Sequence, residues 1–399
     1  MSVWDSRPAL RWLVPAATAA LVLGGGAAVG AITAAADPSL PPRSAAQLLV
    51  DLQSVEVDGF SGTIVQRADL GLPAVALPRG GGQGGPEDPG GQGSASLSSL
   101  LAGTHTLRVW YAGPERARVA LLDTLGQSDI IRNGTDLWTW DSRANAATHR
   151  TLPEGLGRSD APPLDPRALP VTPEQAAEAV LAAVDPTTVV STDGTASVAG
   201  RDAYELVLAP RDGKSLIRQV RLAVDAVTHL PLRVQVYGAG DDPAYEVYFT
   251  RISLERPDEE QFRFNPPPGV TVSEDHLVPG SGPVRRLMGG GGGAGEPRIT
   301  VVGEGWTSVL VARPQAGGTD PAPDATPDAR GDGGPGEAGM AALVEGLPEV
   351  RGSWGSGRIL SGKLFSVLIT DDGRVLVGAV TADRLAEVAA DPAAALEGE

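Results

Sequence analysis

The chain has 399 residues, a formal net charge of −17 and no cysteine. That length allows two modest domains with linkers, and the acidity excludes a phosphate-neutralising nucleic-acid surface. Without cysteine there is no disulfide, no thiol nucleophile and no lipid-modified cysteine, so an exported form must rely on its core.

Arg7 and Arg11 precede an uncharged run from Trp12 to Ala36, long enough to cross a bilayer, which takes about 20 residues. The basic flank would stay cytoplasmic and leave the remainder outside. Ala34-Ala35-Ala36 before Asp37 also fits a small-residue cleavage site, so residues 1–36 read either as a cleaved signal peptide or as an N-terminal membrane anchor. Export follows from both. Ser44 to Leu52 reads as a short helix with Ser44 as N-cap. Gly59 to Gln66 reads as a first strand. Residues 77–99, dominated by Gly, Pro, Gln and Ser, read as a disordered insertion in a hairpin.

Strand patterns resume over Thr104–Tyr111, Arg116–Leu122, Gln127–Arg132 and Asp136–Trp140, with Asn133-Gly134 as a tight turn. Asn133-Gly134-Thr135 is also a formal glycosylation sequon, which the turn explains more simply. Thr172-Pro173-Glu174-Gln175 combines an N-cap, a first-position proline and a capping box, opening a helix that runs to Val184. Asp193-Gly194 then turns into a run of alternating strands: Val198–Pro210, Ile217–Asp225, Leu230–Tyr237, Tyr245–Ile252 and Phe262–Gly269. Residues 281–297 are a Gly-rich linker. Beyond it, Arg298–Ala312 reads as a strand, 314–336 as disordered and Met340–Leu347 as a short helix. Ile359–Thr370 and Arg374–Val380 make a hairpin turning at Asp371-Asp372-Gly373, and Thr381–Ala390 reads as a final helix. Residues 298–390 are a C-terminal β-rich subdomain or an extension of the first sheet.

Catalytic constellations are thin. His105, His149, His229 and His276 lie far apart in sequence with no zinc-helix spacing. No Gly-x-Ser-x-Gly elbow appears. Gly213-Lys214-Ser215 ends like a phosphate loop, but Leu208 stands where that loop needs glycine. Asp241-Asp242, Glu259-Glu260 and Asp371-Asp372 all fall at turns. No catalytic residue, metal ligand or cofactor is therefore expected.

An apolar surface remains. Leu107, Val109 and Tyr111 share one strand face; Val119 and Leu121 share another. Tyr204, Leu206 and Leu208 repeat the pattern, as do Leu232, Val234 and Val236. Trp138 and Trp140 share a face of their strand, opposite Leu137. Core packing explains each residue singly. Together, many strands with few helices to cover them point to a curved sheet whose concave face is incompletely filled, a natural apolar ligand site.

The order of these elements carries a resemblance. Phe60-Ser-Gly-Thr-Ile-Val-Gln66 resembles the opening strand of the LolA/LppX-like superfamily, and its Ser-Gly-Thr is close to the start of the RseB/MucB branch. Asn133-Gly-Thr-Asp-Leu-Trp-Thr-Trp-Asp141 resembles the family's Asn-Gly … Leu-Trp … Tyr-Asp hairpin, with Trp140 where tyrosine is usual. Val198-Ala-Gly-Arg-Asp-Ala-Tyr-Glu-Leu-Val-Leu208, then Val224-Asp225, Leu230-Pro-Leu232 and Phe262-Arg-Phe264 up to Pro268-Gly269, follow the family's progression. The resemblance covers roughly residues 45–275 and makes 37–280 a LolA/RseB-like domain. It implies a mainly β (α+β) fold: a half-open antiparallel β-barrel with helices covering its mouth. It also implies a non-enzymatic cell-envelope protein that binds lipid or the acyl chains of a lipoprotein, as carrier or sensor. The RseB branch implies an alternative, a regulatory module with a second, smaller domain that binds a membrane-bound anti-sigma factor or another membrane protein.

Overall fold

Period-two alternation puts the side chains of one phase on one face of a sheet, and most of the described residues from Phe60 onward fold this way. The computed structural model describes residues 40–53, 55, 57–71, 102–123, 126–152, 172–173, 177, 186–274, 298–313 and 344–391. The expected signal or anchor at 1–36, the insertion at 77–99, the linker at 281–297 and the segment 314–336 lie outside these residues. Among the described residues no helix is long and apolar enough to cross a membrane.

Six strands form a first meander: β1 (Phe60–Asp69), β2 (Ala102–Tyr111), β3 (Arg116–Asp123), β4 (Gly126–Asn133), β5 (Asp136–Asp141) and β6 (Ala146–Thr151). Five form a second: β7 (Thr188–Val198), β8 (Arg201–Pro210), β9 (Gln219–Asp225), β10 (Pro231–Tyr237) and β11 (Tyr245–Ser253). Pairing of β1 with β11 fuses the two, and β12 (Thr271–Glu274) adds to β6 in parallel. The result is a 12-stranded sheet in the order β12-β6-β5-β4-β3-β2-β1-β11-β10-β9-β8-β7. Its end strands, β12 and β7, do not pair with each other, so the sheet is large, antiparallel apart from one pair, and open.

The chain then makes a six-stranded antiparallel sheet from β13 (Arg298–Val302), β14 (Val309–Arg313), β15 (Glu349–Gly352), β16 (Gly355–Ser361), β17 (Ser366–Thr370) and β18 (Val375–Gly378), in the order β13-β14-β18-β17-β16-β15. Helices are few. Helix α1 (Ala45–Gln53) opens on the expected cap: the Gln47 amide donates to Ser44 Oγ and the Ser44 amide to Gln47 Oε1, a reciprocal capping box. Helix α2 (Ala382–Ala389), capped by Thr381, packs Leu385 and Val388 into the core of the second sheet. Of the helix expected over 172–184, Pro173 and Ala177 are helical and buried; most of it lies outside the described residues.

Several expected strands differ. Val198–Pro210 is not one strand: Ala199 and Gly200 have φ of 53° and 76°, the paired positive values of a two-residue hairpin turn between β7 and β8. Asp193-Gly194 is no turn but an irregularity inside β7, where the register to β8 slips between Thr192 and Thr195. Phe262–Gly269 is not a strand. Glu259–Phe262 is a 3-10 turn, and Pro266, Pro267 and Pro268 have no N–H to give a ladder. Arg298–Ala312 is broken by Gly303 and Gly305, both at positive φ. Ile359–Thr370 is broken at Gly362–Phe365.

The two sheets are joined. Lys363 N–H donates to the Leu70 carbonyl (2.6 Å) and its ammonium pairs with Asp69 (2.6 Å). Leu216 N–H donates to the Ala379 carbonyl (2.8 Å), and Trp306 Nε1–H donates to Thr188 Oγ1 (2.8 Å). Leu364 and Phe365 leave the second sheet altogether and pack in the core of the first.

Candidate apolar binding site

The pairing registers assemble one apolar face across the sheet. Leu107 pairs with Leu121 and Val109 with Val119, and on the other side of β2 they pair with Ile64 and Gly62 of β1. Beyond β11, Val234 pairs with Val247 and Leu222, and Leu206 with Leu222. Leu107, Val109, Tyr111, Val119, Leu121, Tyr204, Leu206, Leu208, Leu232 and Val234, together with Val236, accordingly belong to one core cluster. The meanders of β2–β3 and β8–β10 thus contribute to a single interior.

Trp138 and Trp140 are not part of it. Trp138 pairs with Ile131 and Trp140 with Asp129, while the residues in phase with Val119 are Ile130 and Thr139. Both tryptophans therefore project from the opposite, outer face, where Trp138 stacks on His149 with ring centroids 4.3 Å apart and lies 5.0 Å from Phe264. Alternation within β5 separated these residues from Leu137. Only the register across β3 and β4 shows which face is the interior.

The interior is closed by the chain itself. Leu206, Leu208, Leu232 and Val234 are each 0% exposed. Leu48 and Leu52 of helix α1 belong to the same core cluster, as do Leu364 and Phe365 of the loop between β16 and β17. Helix α1 is tied down at its start. Tyr204 Oη–H donates to the Pro41 carbonyl (3.0 Å), Arg43 lies 5.8 Å from the centroid of the Tyr204 ring, and Arg43 pairs with Asp51 one helix length away. Two open clefts, of 330 and 260 Å³, lie mainly on the outer face, the first by Gly62, Arg108 and Trp110, the second by Arg118, Asp129, Trp140 and Phe264.

Three polar side chains interrupt the apolar face. Gln66, directly paired with His105, follows Ile64 in the same phase, and Tyr245 pairs with Ala68 on the other side of β1. Gln66 Oε1 and Nε2, His105 Nε2 and Tyr245 Oη are buried and have no hydrogen-bond partner. Burial pushes the His105 imidazole down to about 4 and the Tyr245 phenol well up, so at neutral pH the cluster carries no charge. The strand pattern held this signal, since Gln66 and His105 are polar residues at apolar positions of an alternating run.

The outer face is charged. Glu205 accepts from Arg221 (3.1 Å) and from Arg233, and Glu246 accepts from Gln235 (2.7 Å). Toward the other edge, Arg118 donates to Asp129 (2.6 Å) and stands 5.2 Å from the centroid of the Trp110 ring. At the edge itself, His149 bridges Asp136 (2.8 Å) and Glu274 (3.0 Å). Among the described residues no group of three histidine or acidic side chains is arranged to hold a metal ion.

Residues 103–268, which span β2 to the aromatic coil after β11, match the family model described as the MucB/RseB N-terminal domain. No curated protein matches the sequence. Among solved structures, the Pseudomonas aeruginosa MucA/MucB complex is similar at 17% identity, over 86% of this chain and 96% of that chain, with a TM-score of 0.39. An uncharacterised conserved protein from Thermus thermophilus is similar at 11% identity over 58% and 99%, TM-score 0.32. A LolA superfamily protein from Nitrosomonas europaea is similar at 12% identity over 56% and 99%, TM-score 0.22.

Proposed function

We propose that this chain, whose residues 103–268 match the family model described as the MucB/RseB N-terminal domain, is a non-enzymatic, extracytoplasmic binding protein whose interior receives the acyl chain of a lipid or lipoprotein. The observation that carries this reading is the single apolar face shared by two meanders, against which helix α1 and the Leu364–Phe365 loop pack apolar side chains. A sheet with two free edges can open there without breaking a closed ladder, and α1 and the Leu364–Phe365 loop are the covers to be displaced. Transfer of an acyl chain from water stabilises the complex by about 0.8 kcal/mol per buried CH₂. A 16-carbon chain then gains roughly 10 kcal/mol before the costs of association and opening. That suffices without a single charge.

Tryptophan position supplies the test. Trp306 packs against the interior cluster, whereas Trp110, Trp138 and Trp140 belong to the outer face. A lipid brominated along its acyl chain should quench emission from Trp306, and the effect should vanish in Trp306→Phe but persist in Trp138→Phe/Trp140→Phe. The opposite pattern would put the chain on the outer face and contradict the proposal.

The second reading is a regulatory module that binds a membrane-bound anti-sigma factor or another membrane protein. It is favoured by the free edges of the second sheet, β13 and β15, where Ile299 is exposed; an unpaired edge strand accepts a partner's strand. Crosslinking from Ile299 in the intact envelope would recover that partner, and a sensor would have both properties.

A further inference from the structure

Buried polar atoms without partners cost stability, and native chains keep few of them. Among the described residues, four such atoms belong to three side chains gathered at one place in the interior, Gln66, His105 and Tyr245; the others belong to Arg118, Trp140, Arg150, Arg313 and Arg384. His105 stands beside Gln66, where directly opposed Cβ atoms are about 5 Å apart; Tyr245 is diagonal to Gln66, about 7–8 Å away, within reach of long side chains. The neighbouring positions on that face are Ala68 and Gly103, both small residues. No Asp, Glu, Lys or Arg of β1, β2 or β11 shares the face: Arg67 and Glu246 are in the opposite phase, paired with each other. The Leu364–Phe365 loop docks at this end, where Lys363 bonds the carbonyl of Leu70, just beyond β1.

We propose that Gln66, His105 and Tyr245 form a polar anchor inside the apolar interior, and that it recognises a neutral carbonyl, the ester or amide that joins an acyl chain to the rest of its lipid. This rests on the acyl-binding reading above and deepens it by naming the ligand class. The Gln66 amide and the Tyr245 hydroxyl supply donors for a carbonyl oxygen, and the Gln66 carbonyl can accept from an amide N–H or a glycerol hydroxyl. An ionised carboxylate or phosphate brought to the same place would lose its hydration and meet no cation. The anchor therefore selects ester- or amide-linked acyl chains and rejects free fatty acids.

The experiment compares three probes on the delipidated full chain at pH 7.5: dipalmitoylglycerol, palmitate and hexadecane. Dipalmitoylglycerol should bind at least ~10-fold more tightly than either of the others, the range expected for hydrogen bonds made in a dry site. In Gln66→Leu/Tyr245→Phe its affinity should fall about 10- to 100-fold while hexadecane binding holds or improves. Because the variant replaces unpartnered polar groups by apolar ones of similar shape, the unliganded protein should melt at the same temperature or higher. Palmitate binding as tightly as the diester, or an ester preference untouched in the variant, overturns the anchor while leaving acyl binding intact. A variant that melts lower, meaning that the groups already satisfy one another, also overturns it. Failure of all three probes to bind overturns the anchor and the acyl-binding reading together.

Discussion

Asp225 and His149 carry the titratable energetics of the first sheet, with opposite signs. Asp225 is 1% exposed and accepts from Arg201 Nε (2.6 Å), the Thr228 amide (2.7 Å) and the Thr228 hydroxyl (2.8 Å). Burial pushes its pKa up, but these bonds and the Arg201 charge outweigh it and hold the carboxyl below its ordinary value. Its contribution is therefore present above the unfolded-chain pKa of about 3.9 and lost as pH falls through the lower folded value. Asp225→Ala should destabilise by about 3 kcal/mol, the cost of breaking a buried pair and leaving polar groups unmet; urea unfolding at pH 7 checks it. Burial lowers the His149 pKa, but the hydrogen bonds and charges of Asp136 and Glu274 raise it more. The grip of β12 on β6 is thus fully present below the unfolded value of about 6.5 and lost as pH rises through the raised folded one. The amide-exchange protection factors at Thr271–Glu274, which are free of the intrinsic pH dependence of exchange, should fall across that window, and in His149→Gln they should stay constant. Much of this was readable in part. Val224-Asp225 belongs to the motif series, but its partners Arg201 and Thr228 became visible only once the β8–β9 pairing and the following turn were known.

Among elements, β1 explains the Ser-Gly-Thr motif physically. A Cβ on Gly62 would meet the Arg251 carbonyl at 2.7 Å and the Phe249 ring at 2.8 Å, beside the register shift between Thr63 and Ile64. Gly62→Val should therefore cost at least about 2 kcal/mol, as overpacking against backbone does, read as a lowered urea midpoint. Helix α1 is the element whose loss should be felt twice. Ser44→Ala removes the N-cap and should cost about 1 kcal/mol. Leu48→Ala should cost about 2–5 kcal/mol and, by loosening the cover, speed exchange of bound acyl lipid; stopped-flow transfer to vesicles reads that rate. Where alternation was long and uninterrupted, as in Thr104–Tyr111 or Tyr245–Ile252, the strands were legible from sequence. They were not legible where glycine or proline changed the backbone inside an apolar pattern. Ala199-Gly200, Gly303 to Gly305 and Pro266 to Pro268 all leave the alternation of neighbours intact while ending the ladder. Strand β6, with its weak Ala-Ala-Thr-His pattern, gave no such signal.

At the scale of the molecule, the apolar face was legible and its orientation was not. Ten of the twelve expected site residues meet in one interior, because in-phase apolar residues of paired strands must share a face. Trp138 and Trp140 lie on the other side because the phase of β5 relative to β2 depends on two intervening registers that no single strand encodes. The second sheet reaches the same interior through Leu364 and Phe365. Gly238 lies close against that loop, since a Cβ there would meet the Lys363 carbonyl at 2.7 Å. The measurement that tests the central claim most directly is native mass spectrometry with lipid extraction on the full chain, exported in a bacterial host and released in mild detergent. The account predicts a stoichiometric, neutral, ester- or amide-linked acyl lipid that leaves when the interior is unfolded and returns on refolding. A folded protein that emerges empty and takes up no acyl lipid from vesicles would contradict it.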